Sequence, residues 1–277
     1  MCNRFPWRTV AATALLLTST AAPGYPRQAP PIQDNSFLIE EAYNQEAGVV
    51  QHISLFQRSR HGAGWVFGFT QEWPMPGLRH QIGFTVPVVR SDLPGIGQAT
   101  GAGDLLVNYR YQALGGGDGS LWVAPRASLI VPSGSWRHAR GDGSLGLQLA
   151  VPASVQLSSG FAAHLNANLS LHHRARNPEG AQARLASLSG GASLIWLPRP
   201  GLNLLTEFVV EDGAEVVGAG AVGRQAATFL VPGVRWAHNL KGGVQVVPGI
   251  GYALGLGNAR EDSALLVYLS VEHSFRR

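Results

Sequence analysis

Apolar and polar residues alternate along most of this chain with a period of two. The clearest stretch is residues 161–173, where one set of alternate positions is Phe161, Ala163, Leu165, Ala167, Leu169 and Leu171, and the other is Ala162, His164, Asn166, Asn168, Ser170 and His172. Successive side chains of a β-strand point to opposite faces of the sheet. The pattern therefore predicts β-strands with one apolar and one polar face.

About twelve segments have this strand pattern, and an even number is typical of bacterial outer-membrane barrels. Most of them reach the ~9–11 residues that a tilted strand needs to cross a bilayer. They lie at residues 49–56, 65–73, 80–88, 104–111, 121–131, 145–157, 161–173, 185–197, 202–211, 226–238, 244–254 and 264–275. The sequence predicts an all-β fold, a transmembrane antiparallel up-and-down β-barrel of the outer-membrane type.

The predicted connections alternate in length. The long ones are residues 57–64, 89–103, 132–144, 174–184, 212–225 and 255–263. Most of the others are tight, at residues 74–79, 158–160, 198–201 and 239–243, and residues 112–120 are the exception. Outer-membrane barrels have short periplasmic turns and longer external loops. A soluble sandwich has no reason to sort its loops in this way, so the alternation favours a barrel.

Aromatic residues fall where a membrane barrel has its interfacial girdles. Trp65 and Trp73 share one strand face and stand roughly 26 Å apart at the rise of a strand, close to the height of the apolar band after tilting. Further aromatic residues on apolar faces towards strand ends are Trp196, Trp236 and Tyr252. Ordinary core packing is the alternative explanation for each of them taken alone.

Composition agrees with a surface that meets lipid. Charged residues make up 14% of the 277 residues, below the roughly 25% of ordinary soluble domains. After the first 25 residues no apolar run approaches the ~18 residues of a membrane helix. The formal net charge of the chain is +4, and the basic residues are not clustered in the sequence. Nucleic-acid binding is therefore not expected.

The N-terminus has the pattern of a secretory signal peptide. Arg4 and Arg8 precede a short apolar core at residues 10–18, and small residues follow. Residues 1–24 are accordingly expected to be removed. The single cysteine, Cys2, lies in this part, so the mature chain has no disulfide.

The mature chain divides into two parts. Residues 25–47 are predicted to be an N-terminal periplasmic or lumen-inserted segment, and residues 48–277 the outer-membrane β-barrel. Residues 32–46 lack the period of two. They form either a short helix capped by Asp34 or Asn35, or an extended segment inside the barrel.

The end of the chain has the form of a closing outer-membrane strand. Leu265, Val267, Leu269, Val271 and Phe275 share one face. This is similar to the aromatic-ended C-terminal signal that the barrel assembly machinery reads, although two arginines follow Phe275.

Three blocks carry a resemblance to a known family. They are IQDNSFLIEEAYNQE at residues 32–46, FTQEWP at 69–74 and GDLLVNYRY at 103–111. The chain resembles, over most of its mature length, a family of outer-membrane transporters named for a proposed meta-pathway of phenol degradation. The resemblance implies that small, aromatic or hydrophobic molecules cross the outer membrane through the barrel.

The polar strand faces supply the candidate functional residues. A charge at mid-depth costs a few kcal/mol on a lipid-facing surface, so these residues must face inwards. The predicted lumen-lining residues are Glu72, Asn108, Arg110, Arg126, Gln148, His164, Asn166, Asn168, Glu207 and Glu272. They either line a solute path or merely fill and rigidify the interior.

Three other patterns in the sequence do not meet the requirements of the chemistry that they suggest. The glycine pattern at residues 218–223 lacks the following helix and the acidic residue of a dinucleotide site, and is interpreted as a flexible external loop. His172 and His173 point to opposite faces and cannot share a metal ion. The sequence contains no His-x-Ser-Asn motif of an outer-membrane lipid hydrolase, and the partly similar His-Leu-Asn at His164 lacks the serine. We therefore predict no catalytic, cofactor or metal residues, and no cofactor.

These observations predict a bacterial outer-membrane channel that lets small solutes pass passively through a polar-lined barrel. The expected partners are outer-membrane lipid, lipopolysaccharide, the barrel assembly machinery and a small-molecule solute. A lipid-modifying hydrolase and a structural envelope barrel without transport remain the alternatives.

Overall fold

The computed structural model describes residues 35–61, 63–93, 97–115 and 120–274. The predicted signal peptide at residues 1–24 and Phe275 of the predicted C-terminal signal lie outside the described residues, so both signals stay predictions. Apart from two short 3-10 helices, Trp136–His138 and Gly257–Asp262, the regular structure described is β-strand. No helix in this part of the chain is long and apolar enough to cross a membrane.

Sixteen strands follow one another in the described part of the chain. They are β1 (Val49–Ser59), β2 (Trp65–Pro74), β3 (His80–Leu93), β4 (Gly97–Ala102), β5 (Leu105–Tyr111), β6 (Leu121–Val123), β7 (Arg126–Val131), β8 (Gly146–Ala150), β9 (Ala153–Ser158), β10 (Phe161–Arg176), β11 (Gln182–Arg199), β12 (Leu202–Gly218), β13 (Ala221–Trp236), β14 (His238–Leu240), β15 (Val244–Leu256) and β16 (Ala264–Ser274).

These strands fill twelve positions of a closed antiparallel barrel. Four positions are each shared by two strands in line, namely β4 with β5, β6 with β7, β8 with β9, and β13 with β14. Two of the breaks fall at Pro125 and Pro152, because proline has no N–H to donate to the ladder. The predicted fold class is confirmed.

The first and last strands close the barrel. β1 pairs with β2 on one side and with β16 on the other, from Val49 opposite Ser274 to Ser59 opposite Ala264. Closure gives each of the twelve positions a neighbour on both sides, which a sheet needs in lipid because no water is there to satisfy unpaired backbone groups. We call the end where β1 begins the near end, and the opposite end the far end.

The two faces of the barrel wall differ as the period of two predicts. In β10, His164 is fully buried inside the barrel, whereas the next residue, Leu165, is 55% exposed on the outside. Many other large apolar side chains are exposed on the outer surface, among them Val107, Leu129, Leu149, Leu188, Leu194, Phe208, Ile250 and Val267. The wall thus presents an apolar outer face.

The interior is not uniformly hydrophilic, which corrects one expectation. Buried apolar side chains from the later strands form a cluster inside the barrel that we call the apolar wall, made of Ile195, Leu205, Val231, Ala253, Leu266 and Tyr268. Ile53 and Leu55 of β1 pack against it. The prediction that apolar side chains point outwards throughout is wrong for these strands, because a segment of the chain packs against them from within, as described below.

Several predicted long loops are mostly strand. β12 and β13 are joined by Ala219 and Gly220 alone, and β10 and β11 by residues 177–181. The glycine-rich residues 218–223 therefore form a tight hairpin, with Gly220 at a φ of +70°, and their interpretation as a flexible loop is wrong. Within the predicted loop at residues 89–103, residues 89–93 of β3 and 97–102 of β4 pair and also extend the barrel.

A charge on the outer face tests the orientation of the wall. We expect Leu165→Arg to lower the free energy of unfolding by about 2–4 kcal/mol, because Leu165 lies well inside the apolar band. The matched control is Leu240→Arg, since Leu240 is equally exposed at 55% but lies at the near-end rim, where the cost falls to about 0–1 kcal/mol. Urea unfolding in lipid vesicles measures both, and equal costs would contradict a membrane-facing surface.

Candidate functional site

A stretch of chain runs through the interior of the barrel. Residues 35–46, which we call the inner segment, contain no helix and lead towards β1. Seven of these residues are buried, namely Asn35, Ser36, Phe37, Ile39, Glu41, Ala42 and Gln45. Of the two alternatives for this part of the sequence, the extended segment inside the barrel is the one observed. Residues 25–34 are outside the described residues, so the full extent of the N-terminal segment stays a prediction.

Glu207 of β12 holds the start of the inner segment. The backbone N–H groups of Phe37 and Ile39 donate to its Oε1 at 2.7 and 3.4 Å, and that of Leu38 lies 3.1–3.2 Å from both oxygens. Ser36 and Ser193 add a hydroxyl pair with their oxygens 2.5 Å apart. Glu207 is fully buried, and these donors supply the hydrogen bonds that its carboxyl oxygens would otherwise lack away from water.

The middle of the inner segment is bonded to β9 and β10. The Glu40 N–H donates to Asn166 Oδ1 at 2.7 Å, and Asn166 Nδ2 returns a bond to the Glu40 carbonyl at 2.8 Å. The Ala42 N–H donates to Ser154 Oγ at 2.7 Å, and Ser154 Oγ lies 2.7 Å from Nδ1 of His164. The segment therefore adds to the wall through side chains instead of pairing as a further strand.

Two arginines grip the segment from the other side. Arg126 meets the Glu40 carboxylate as a fork, with Nε 3.0 Å from Oε2 and a terminal nitrogen 2.6 Å from Oε1. Arg110 donates to the carbonyls of Glu41 and Tyr43 at 3.2 and 2.7 Å. Bidentate arginine–carboxylate contacts combine strength with a defined geometry.

The charge state of Glu40 supports this contact. Burial alone raises the pKa of its carboxyl group, but the positive charges of Arg126 and Arg110 outweigh burial, so the pKa lies below its ordinary value of 4.5. Glu40 is therefore ionised at neutral pH. Its contribution to holding the segment is present above pH 4.5 and is lost only as the pH falls through the lowered pKa.

At the near end, glutamine side chains connect the inner segment to strands β1, β2, β3 and β16. Gln45 donates to Gln51 Oε1 at 2.5 Å, and Gln51 donates to Glu272 at 2.7 Å. The Gln45 N–H donates to Gln81 Oε1 at 2.8 Å, and Gln81 in turn donates to Glu72 at 2.8 Å.

Phe37 sits in a niche of three glycines. A Cβ atom built on Gly233, Gly249 or Gly251 would lie 2.2, 3.0 or 2.7 Å from its ring. The ring also meets Tyr268 edge-on with centroids 5.9 Å apart, and the Arg235 guanidinium lies 4.3 Å from the centre of the Tyr268 ring. The absence of side chains at these three positions makes room for Phe37.

A cavity of about 360 Å³ lies between the inner segment and the strands β1–β3, β5, β7, β8 and β16. Its lining has two characters. One part is apolar, with Ile53, Leu55, Leu106, Phe37 and Leu38, and the other is charged or polar, with Glu40, Glu41, Glu72, Asn108, Arg110, Arg126 and Gln148.

The structure brings most of the predicted lumen residues to the inner segment. Arg110, Arg126, Asn166 and Glu207 bond to it directly. Four others act through one intermediate: Asn108 and Gln148 contact Arg126, Glu72 lies 3.8 Å from Arg110, and Glu272 contacts Gln51. His164 contacts Ser154 and also meets the ring of Tyr43 edge-on, with centroids 6.0 Å apart. Asn168 bonds instead to Ser189 on the neighbouring strand, at 3.3 Å.

Sequence reasoning missed several residues of this site. They are Gln51, Gln81, Gln112, Ser154, Ser193, Arg235 and the three niche glycines. The alternation in β13 was a usable signal for Arg235, which falls on the inward face with Val231. The glycines carry no such signal until the position of Phe37 is known.

Ser154 and His164 also bear on the hydrolase alternative, because they form a serine–histidine contact that the sequence motif did not reveal. Both side chains are almost completely buried, and Ser154 Oγ accepts the Ala42 N–H. A nucleophilic serine needs an open approach for its substrate. With the inner segment in place, this pair serves as an attachment point.

Taken together, a closed barrel of twelve antiparallel positions with an apolar outer face has the porin-like architecture of outer-membrane channels. The COG4313 outer membrane channel from Pseudomonas putida F1 superposes with a TM-score of 0.61 at 13% identity, covering 84% of this chain and 98% of that one. The NanC porin gives a TM-score of 0.52 at 10% identity, over 82% of this chain and all of that one. No protein-family model and no curated protein matches the chain. At such identities the likeness establishes the fold.

Filling the glycine niche is expected to release the start of the inner segment. In Gly251→Val the new Cβ would lie 2.7 Å from Phe37 Cε2, so the ring must leave. A protease that cuts after glutamate should then cleave at Glu40 and Glu41 severalfold faster than in the parent, as mass spectrometry of the released fragment would record. Gly160→Val is the control, because a Cβ there meets nothing within 4 Å. Equal cleavage rates in both variants would show that the niche does not hold the segment.

Proposed function

We propose that the protein is a passive channel for small solutes in the bacterial outer membrane, with the inner segment as a movable constriction. The observation that carries the proposal is the segment itself, held inside a closed barrel by side-chain contacts and bordered by a cavity. A barrel of eight strands has room only for side chains, whereas one of about sixteen has an aqueous channel. Twelve positions leave room for both a segment and a solute.

The solutes are small and have aromatic or hydrophobic parts. The apolar part of the cavity lining supports this, since a purely polar solute would leave Ile53, Leu55 and Leu106 in contact with poorly placed water. The family resemblance of the sequence points the same way. The polar part of the lining satisfies the hydrogen-bonding groups of such a solute.

The membrane surroundings follow from the outer face. The apolar band contacts outer-membrane lipid, and arginines near the far end, such as Arg58, Arg137 and Arg174, bind lipopolysaccharide phosphates through their forked donors. Insertion depends on the barrel assembly machinery, which reads the last strand.

The test uses the refolded mature chain. Planar-bilayer conductance and swelling of liposomes in benzyl alcohol or phenol should both report passage of solute. Absence of conductance and swelling, with altered envelope integrity in a deletion strain, would favour a structural barrel. Release of fatty acid from phospholipid, lost in Ser154→Ala, would favour the hydrolase instead.

A further inference from the structure

Glu40 occupies a place on the barrel wall that suits a free carboxylate. Its two oxygens meet Nε and a terminal nitrogen of Arg126 at 3.0 and 2.6 Å, the fork that a carboxylate from any source would form. Because Glu40 belongs to the inner segment and Arg126 to β7, this contact joins a part that we propose to be movable to a fixed wall.

Arg126 is held in position by the wall without Glu40. It donates to Gln148 Oε1 at 3.0 Å, to Asn108 Oδ1 at 3.4 Å and to the hydroxyl of Ser128. Its side chain is only 9% exposed, whereas that of Glu40 is 35% exposed towards the cavity. The guanidinium is thus a preorganised receptor, and the carboxylate is the partner with room to leave.

The exchange of one carboxylate for another leaves Arg126 with one negative counter-charge throughout. Around this point the barrel wall supplies Arg110, Arg126 and Glu72, and the inner segment supplies Glu40 and Glu41. Within 4 Å of Arg126, Glu40 is the one acidic side chain among the described residues. A neutral or cationic solute that displaced Glu40 would leave a buried guanidinium without a counter-charge, which is costly.

The rest of the cavity fits an apolar body. Ile53, Leu55 and Leu106 line the same space as Arg126. Its volume of about 360 Å³ is near the lower end of the roughly 300–1,000 Å³ of small-molecule sites. It therefore has room for one small molecule beside the segment.

We infer that this cavity binds small monocarboxylates with an apolar or aromatic body, whose carboxylate replaces that of Glu40 on Arg126. The inference rests on the proposed channel function and names its preferred solute class. Glu40 then acts as an internal competitor, and an arriving anion both binds the wall and removes one of the contacts that hold the middle of the inner segment.

Three probes of nearly the same size separate charge from shape: benzoate, benzyl alcohol and benzylammonium. Uptake into liposomes, measured against concentration, gives a rate and a half-saturating concentration for each. For the parent protein we expect saturable uptake of benzoate and slower uptake of benzylammonium. Glu40→Gln should lower the half-saturating concentration of benzoate about tenfold, because the charged competitor is gone. The measured quantity is the ratio of benzoate uptake to benzyl alcohol uptake, because a loosened inner segment would speed both and leave their ratio unchanged.

Arg126→Gln should remove the preference for benzoate, and Arg126→Lys should keep part of it. The heat-dependent gel mobility of each variant shows whether its barrel has folded. If Arg126→Gln folds poorly, Arg126→Lys still tests the site. The charge-matched controls are Asp212→Asn and Arg224→Gln, which break an ion pair between β12 and β13 outside the cavity. These controls should leave the ratio unchanged.

The outcomes distinguish the two proposals. Equal uptake of all three probes, unaltered by Glu40→Gln and Arg126→Gln, would overturn the carboxylate site and leave the channel intact. Absence of uptake of every probe, also after removal of residues 35–46, would overturn the channel and the site with it.

Discussion

Removal of residues 35–46 is expected to raise the single-channel conductance severalfold and to make it steadier. The inner segment occupies the interior at the level of Glu207, Asn166 and Arg126, where it narrows the path. Without it, the wall lines a continuous space whose width lies between that of a filled eight-stranded barrel and that of an open sixteen-stranded one. Planar-bilayer recordings of the refolded chains measure the change directly.

The matched control removes residues 25–34 and keeps residues 35–46. This shortened chain should conduct like the parent, because every contact described between the segment and the wall is retained. If the two deletions raised the conductance equally, the cause would be the shortening of the chain and not the removal of the segment from the barrel interior. If neither did so, the inner segment would not be the constriction.

A disulfide between the segment and the wall is expected to hold the channel in its low-conductance state. The hydroxyl oxygens of Ser36 and Ser193 are 2.5 Å apart, and both side chains are buried. In Ser36→Cys/Ser193→Cys the two sulfur atoms would be close to the ~2.05 Å of a disulfide bond. The sole natural cysteine is Cys2, in the predicted signal peptide, so no other thiol competes.

Under oxidising conditions, openings of the double variant should become rare and benzyl alcohol uptake should fall towards that of liposomes without protein. A reductant should restore both. The single variants Ser36→Cys and Ser193→Cys serve as controls and should not respond to oxidation. A cross-linked barrel that still conducts like its reduced form would mean that solutes pass beside a stationary segment.

The membrane-spanning part of the fold was predictable from sequence because lipid imposes a strict pattern on it. Residues 161–171 alternate in full, and over residues 161–167 their burial alternates with them. Beyond the lipid both strand faces meet water, so alternation no longer distinguishes strand from loop. This is why residues 212–218 and 221–225, which pair in register as β12 and β13, were interpreted as a long loop.

The interior was only partly predictable for a related reason. A buried glutamate such as Glu207 is conspicuous in an apolar strand, and its inward direction follows from the period of two. Its partners are backbone N–H groups, which every residue but proline possesses and which leave no trace in a sequence. The Phe37 niche is likewise defined by missing side chains, whose meaning depends on which residue comes close.

The amide side chains of Gln45 and Gln51, which anchor the inner segment, also connect the first and last strands of the barrel. Gln51 of β1 and Glu272 of β16 lie opposite each other, and Gln45 reaches their pair from inside. Phe37 contacts Tyr268 on β16 as well. The inner segment thereby fastens the first and last strands of the barrel to each other from inside, so that binding of this segment and closure of the barrel stabilise one another.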